Sequence, residues 1–245
     1  MENLENLYNK FHLSSNIQKK TISDNNFTYY TILKRIRNIL ETTHVSKILD
    51  YGCGAGTLAF YLASKGYQVN GVDISSRAIN LAKESANRMR LKNIKFTVVK
   101  SIDKEKASYD LVICTEVIEH VKNDSILLRK LFEVLKKGGY LYLSTPSYTA
   151  PLYKLGLLSK FDASVGHLRR YNVDKLATKL RNLGFEIENV SIEEGIIRNS
   201  LFTLNPLKKI TRFIKGPMVN IVMFIDEVLI KLFGGSNIHI IAKKP

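Results

Sequence analysis

Glu116, Glu119 and His120 stand close together in Thr115-Glu116-Val117-Ile118-Glu119-His120-Val121. On a helical turn, positions i, i+3 and i+4 share a face, so this spacing would bring two carboxylates and an imidazole together. Such a set can hold a divalent metal through oxygen and nitrogen donors. It can also work without one, with His120 or Glu119 as a general base. The residues alone leave both readings open. Further on, Arg169, Arg170 and Tyr171 read either as a clamp for an anionic acceptor group or as a solvated loop.

A second group lies earlier in the chain. Ile48-Leu49-Asp50 is apolar and ends in an acid, and Tyr51-Gly52-Cys53-Gly54-Ala55-Gly56 follows as a glycine turn. Glycines there permit positive φ and let a ligand rest on the backbone. The helix expected from Thr57 to Lys65 would turn its first N–H groups toward an anionic group of that ligand. Asp50 can accept hydrogen bonds from an ammonium group. A second strand, Tyr67 to Val72, ends in Asp73, placed as a ribose-binding carboxylate should be. The spacing departs from the dinucleotide pattern Gly-x-Gly-x-x-Gly, because position 57 is Thr.

These residues resemble motif I and its acidic partner in the class I S-adenosylmethionine-dependent methyltransferases, and the resemblance runs from about Lys47 to Phe185. It implies S-adenosylmethionine as cofactor, with contacts from Asp50, Gly52, Gly54, Gly56, Asp73, Ile74 and Thr115. Lys100-Ser101-Ile102 stands where many relatives read the adenine amino group with an acid, so Ser101, Ile102 or their backbone would serve instead. The Glu-x-x-Glu-His arrangement resembles two groups that use it with a metal: the ubiquinone-biosynthesis O-methyltransferases and the small-RNA 3′-terminal 2′-O-methyltransferases. Both have a further histidine before a helix, where this chain has His167. The resemblance thus implies Glu116, Glu119, His120 and His167 as ligands of a divalent metal such as Mg²⁺, and His120, Glu119 and His167 as catalytic residues.

The positioning elements follow from periodicity. Helices are expected over Glu2–His12 and Phe27–Glu41, from Ser75 to about Met89, over Asp124–Lys137 and over Val173–Leu183. Strands are expected over Ile94–Val99, Tyr109–Cys114, Tyr140–Thr145, Phe185–Ser191 and Asn237–Ala242, the last antiparallel. The alternation predicts an α/β fold: a Rossmann-like, doubly wound seven-stranded sheet. The organisation expected is a helical cap (1–44), a cofactor-binding core (45–194), a helical insertion (195–236) and the last strand (237–245). His12 and His44 read as surface residues.

Composition bounds the function. With 245 residues, 45% hydrophobic and 24% charged, the chain can bury a full core. The 37 basic residues outweigh 22 acidic ones, and the formal charge of +15 points to anionic partners. Cys53 and Cys114 form no disulfide or zinc pattern, and the acidic start lacks a signal-peptide pattern, so a reducing, cytoplasmic location is expected.

The insertion is long for a connection in such a sheet. Lys208, Lys209, Arg212 and Lys215 interleave with Leu207, Ile210, Phe213 and Ile214; then Met218–Phe233 is mostly apolar. Asp226 and Glu227 interrupt that run, which is too short to span a bilayer. Residues 205–233 are therefore expected to meet an anionic membrane surface from the cytoplasmic side. Nucleic acid is disfavoured, because the basic residues lack stacking aromatics beside them. The acceptor expected is a small or lipid-linked hydroxyl compound. An RNA 2′-hydroxyl methyltransferase and a non-catalytic adenosylmethionine-binding subunit are the alternatives.

Overall fold

The computed structural model describes residues 4–99 and 107–245. In chain order the elements are α1 (Leu4–Phe11), α2 (Tyr30–Thr42), β1 (Lys47–Tyr51), α3 (Thr57–Ser64), β2 (Gln68–Asp73), α4 (Ser76–Arg88) and β3 (Ile94–Val98). Then come β4 (Tyr109–Thr115), α5 (Asp124–Val134), β5 (Leu135–Pro146), α6 (Pro151–Lys154), α7 (Ser159–Val165), α8 (Val173–Asn182) and β6 (Glu186–Glu193). The chain closes with α9 (Ile196–Thr203), α10 (Asn205–Lys208), α11 (Pro217–Phe233) and β7 (Asn237–Lys243).

The seven strands make one sheet in the order β3-β2-β1-β4-β5-β7-β6. The first five run parallel, and β7 lies antiparallel between β5 and β6. Successive strand residues point to opposite faces, so the central strands feed two cores. Ile48, Leu111 and Ile113 pack with α2, α3 and α4 through Leu33, Ile36, Phe60, Leu62 and Ile79. Leu49, Val112 and Cys114 pack on the other face with α5 and α8 through Leu128, Leu131, Leu176 and Leu180. Being covered on both faces explains why β4, apart from Asp110 near its start, reads as an apolar run. The order reverses at β1 and β4, whose carboxyl ends open the crevice where open α/β sheets bind ligands.

Three expected boundaries move. The helix expected to Lys137 ends at Val134, because Leu135 is drawn fully into the core and pairs with Tyr109 as the start of β5. Lys136 to Gly139 then form a bulge, and Lys136 reaches Asp110 Oδ1 at 2.7 Å. The helix expected from Phe27 begins at Tyr30 instead. Phe27 leaves it to join Leu201, Ile214, Val219 and Met223 in a small third core. The short helices α6 and α7 had no periodic signal.

That third core fastens the insertion to the start of α2. Arg198 is wholly buried in it. Its guanidinium donates to the Phe27 carbonyl at 2.9 Å and to Glu194 Oε1 at 3.1 Å, and lies 5.1 Å from the ring centroids of both Phe27 and Phe202. Removing one member of a buried charge pair typically costs about 3–5 kcal/mol. Arg198→Met should therefore lower the melting temperature by on the order of 10 °C, and a melt within 2 °C of wild type would refute this role.

Candidate active site

Asp50 ends β1 almost fully buried, and its Oδ2 has no hydrogen-bond partner among the described residues. Burial, reinforced by Asp73, pushes its carboxyl up to about 7. The turn that follows is fixed by Gly52 N and Cys53 N donating to the Val72 carbonyl, at 2.8 and 3.0 Å. Gly52 has a φ of +80°, and a Cβ there would lie 2.3 Å from Val117 Cγ2, so both backbone and packing demand glycine. Asp73 closes the turn: Oδ2 accepts from Gly54 N and Oδ1 from Ser75 N, each at 2.8 Å. Asp50, Gly52, Gly54, Asp73, Ile74 and Thr115 are brought to the same region. All of them but Asp50 line one cavity of about 1360 Å³. Gly56 supports the turn from beneath, against Phe60 and Phe96. Ser101 and Ile102 lie outside the described residues.

These features fit S-adenosylmethionine. Asp50 keeps a buried carboxylate oxygen without a donor among the described residues, a place suited to an ammonium group, and the glycine backbone lines the open cavity. The pH dependence follows. If the ammonium group pairs with the ionised form of Asp50, binding should release a proton near neutrality, and affinity should rise between pH 6 and pH 8. The ligand-free protein should move the other way. A carboxyl raised in the folded state contributes stability below its unfolded value and loses that contribution as pH rises through about 7. Melting curves at the two pH values, with and without cofactor, check both signs.

Across the cavity, Glu119, His120 and His167 present ligand atoms within 4.8 Å of one another. The His120 Nδ1–H donates to the Gly166 carbonyl at 3.1 Å, and the His167 Nδ1–H donates to Asp162 Oδ1 at 2.9 Å. Each Nε2 is thereby left as a lone-pair donor, 3.6 and 4.0 Å from Glu119 Oε1 respectively. Burial keeps both imidazoles neutral, pushing His120 down to about 4 and His167 below its ordinary value. Glu119 is fully buried; Oε2 accepts from Thr145 Oγ1 at 2.9 Å, and Oε1 has no hydrogen-bond partner among the described residues. Burial and the nearby Glu116 hold its carboxyl well above the usual range.

Glu116 does not join this group. It adopts a φ of +54°, and only Ile118–His120 coil into a 3-10 turn, so the helical spacing expected for the three residues fails. Its carboxylate accepts from Ser144 Oγ at 2.8 Å and Asn237 Nδ2 at 3.2 Å. Burial and Glu194 raise it to about 7. Of the four residues expected as ligands, the structure brings three together, Glu119, His120 and His167.

The arginine clamp also dissolves. Arg170 is committed to Asp162 through two hydrogen bonds of 2.9 and 2.6 Å, Arg169 to the Lys122 carbonyl, and Tyr171 to Asp124. Arg170 therefore orients the carboxylate that orients His167. His12, expected at the surface, instead lines the cavity beside Gly54. Tyr8, Asp162 and Glu194 had no sequence signal. Asp162 sits five residues before its histidine, on a helix without periodicity, and Tyr8 meets the site only through the docking of α1.

A parallel sheet carrying a glycine turn between Asp50 and Asp73, closed by an antiparallel β7, defines a class I S-adenosylmethionine-dependent methyltransferase. The chain belongs to the family described as "Methyltransferase domain", which matches residues 25–190. Among curated relatives, the ubiquinone biosynthesis O-methyltransferase of Idiomarina loihiensis is 30% identical over 128 residues, covering 51% of this chain and 52% of that one. The enzyme of the same name from Nitrosomonas europaea is 28% identical over 204 residues, covering 78% and 81%. The chain thus spans about half the length of the first of these relatives, and more of the second. A putative sarcosine dimethylglycine methyltransferase from Galdieria sulphuraria shares the fold, with a TM-score of 0.68 at 14% identity, covering 97% and 98%.

Proposed function

We propose that this protein transfers the methyl group of S-adenosylmethionine to a hydroxyl of a small or lipid-linked acceptor, with a divalent metal held by Glu119, His120 and His167. The observation that carries this reading is Glu119 Oε1, buried and unpartnered, facing two imidazole nitrogens whose opposite ring atoms are already engaged. The relatives named above as O-methyltransferases support oxygen as the nucleophile.

When bound, S-adenosylmethionine supplies a methyl group already activated by its sulfonium, so the protein's task is alignment and an electron-rich oxygen. Asp50 and the glycine turn hold one partner at the carboxyl ends of β1 and β4. The trio holds the other, and a metal there would lower the pKa of a coordinated hydroxyl. Two imidazoles and one carboxylate suit Mn²⁺, Fe²⁺, Co²⁺ or Zn²⁺ better than Mg²⁺, which prefers oxygen donors. The Mg²⁺ expectation is revised on that ground. Incubation with methyl-labelled cofactor and a panel of catechols, phenols and lipid-linked alcohols tests the reading. A product heavier by one methyl on oxygen supports it; transfer only to amines or RNA overturns it.

The lipid-linked part of the proposal rests on α11. Val219, Met223 and Asp226 are buried, while Ile221, Phe224, Ile225, Val228 and Leu232 are exposed along the helix. Ile210 and Phe213 are exposed too, in a stretch that carries Lys208, Lys209, Arg212 and Lys215. An apolar stripe near basic side chains suits the interface of an anionic membrane. No helix among the described residues is long and apolar enough to cross one. Flotation with anionic vesicles should carry the wild type upward, and Phe224→Glu with Leu232→Glu should cut the floated fraction about tenfold. Equal flotation by that double variant would refute the docking.

A further inference from the structure

We propose that Tyr8 is a positioning residue of the reaction: α1 carries it across the cavity, where its ring sets the orientation of the His120 imidazole. The inference rests on the methyl-transfer reading for its kinetic consequence, though not for its structural one. Tyr8 meets His120 edge to face, with ring centroids 5.5 Å apart and planes at 85°. That geometry places the positive edge of one ring against the face of the other. It also restricts rotation of an imidazole that is held besides by the hydrogen bond to the Gly166 carbonyl and by the His167 ring, whose centroid lies 4.8 Å away.

Tyr8 is held there from both sides of the cavity. On the cofactor side, Asn9 Oδ1 accepts from Ser75 Oγ at 2.7 Å and from Arg77 N at 3.2 Å, just past Asp73. Arg77 Nε in turn donates to the His12 carbonyl at 3.0 Å. On the opposite side, Leu7 packs over Gly166, where its Cδ2 lies 2.7 Å from the place a Cβ would take. Gly166 has a φ of +80°, precedes His167 and supplies the carbonyl that orients His120. Leu7 and Tyr8, adjacent on one helix, therefore press on the anchor of His120 and on the ring itself.

The Tyr8 hydroxyl forms no hydrogen bond among the described residues, and Tyr8 lines the cavity together with Asp73 and His120. Ring and hydroxyl thus separate into two measurable contributions. The ring maintains the His120 geometry, and the hydroxyl is free to hold the acceptor.

The test compares Tyr8→Leu with Tyr8→Phe in the full chain. In ligand-free protein, imidazole NMR resonances of His120 should form one sharp set in wild type and Tyr8→Phe, and broaden or split in Tyr8→Leu. In turnover, Tyr8→Leu should lower kcat on the order of 10²-fold, the scale of a misplacement of about 1 Å. Its KM for the cofactor should change less than threefold. Tyr8→Phe should restore most of kcat while raising the KM for the acceptor several-fold. A single sharp His120 set in Tyr8→Leu overturns the positioning role, whatever the activity. If no hydroxyl acceptor is turned over by wild type, the methyl-transfer reading fails, and the NMR comparison still decides the role of Tyr8.

Discussion

Asp73→Ala is expected to weaken S-adenosylmethionine binding by at least 10²-fold. The carboxylate has two duties. It already accepts from Gly54 N and Ser75 N, which tie the glycine turn to the first turn of α4. Its position at the end of β2 also suits the ribose hydroxyls. Hydrogen bonds to a charged group contribute about 1.5–3 kcal/mol each, and a tenfold change in affinity corresponds to about 1.4 kcal/mol. Losing the ligand contacts alone therefore accounts for two decades, and a loosened turn adds to that. Asp73→Asn keeps the shape but replaces an acceptor with a donor opposite one backbone N–H, so it should recover little. Calorimetric titration of the wild type and both variants decides it. Unchanged affinity in Asp73→Ala would remove the assignment of this strand end to the cofactor.

The second large effect concerns the buried trio. Dialysis against a chelator should remove a metal bound at about one per chain and lower turnover by at least 10²-fold, with Mn²⁺, Co²⁺ or Zn²⁺ restoring it better than Mg²⁺. His167→Ala should lose the metal by elemental analysis, a result independent of any acceptor. Glu119→Gln separates chemistry from stability. It removes a carboxyl that burial already holds well above its usual range. The metal-free protein should therefore melt no lower than wild type at pH 8, although the metal is lost. Full activity after chelation would leave Glu119 and His120 as acid–base residues. In that case their Gln and Ala variants should still lose turnover.

The cofactor half of the site was legible in the chain because it is local. Asp50, the three glycines and Asp73 lie within two consecutive strands and one turn, and backbone hydrogen bonds to the Val72 carbonyl fold that segment on itself. The sheet was legible too, since strands buried on both faces leave apolar runs separated by helical spacing. The acceptor half was only partly so. Glu119, His120 and His167 were singled out, but Glu116 was grouped with them on the assumption of a regular helix. A left-handed residue ends that regularity, and no local signal distinguishes an acidic residue that will take positive φ.

Local periodicity and glycine placement, acting over a few residues, were enough to locate the glycine turn at the carboxyl end of the sheet, and the resemblance those residues carry implied the class of ligand. Only the tertiary structure decided which side chains face one another across the cavity. It turned Glu116 toward Asn237, brought Asp162 to His167, and laid Tyr8 on His120. The first and last of those pairings join segments far apart in sequence, and the packing of whole elements, rather than the preferences of any one residue, brings them into contact.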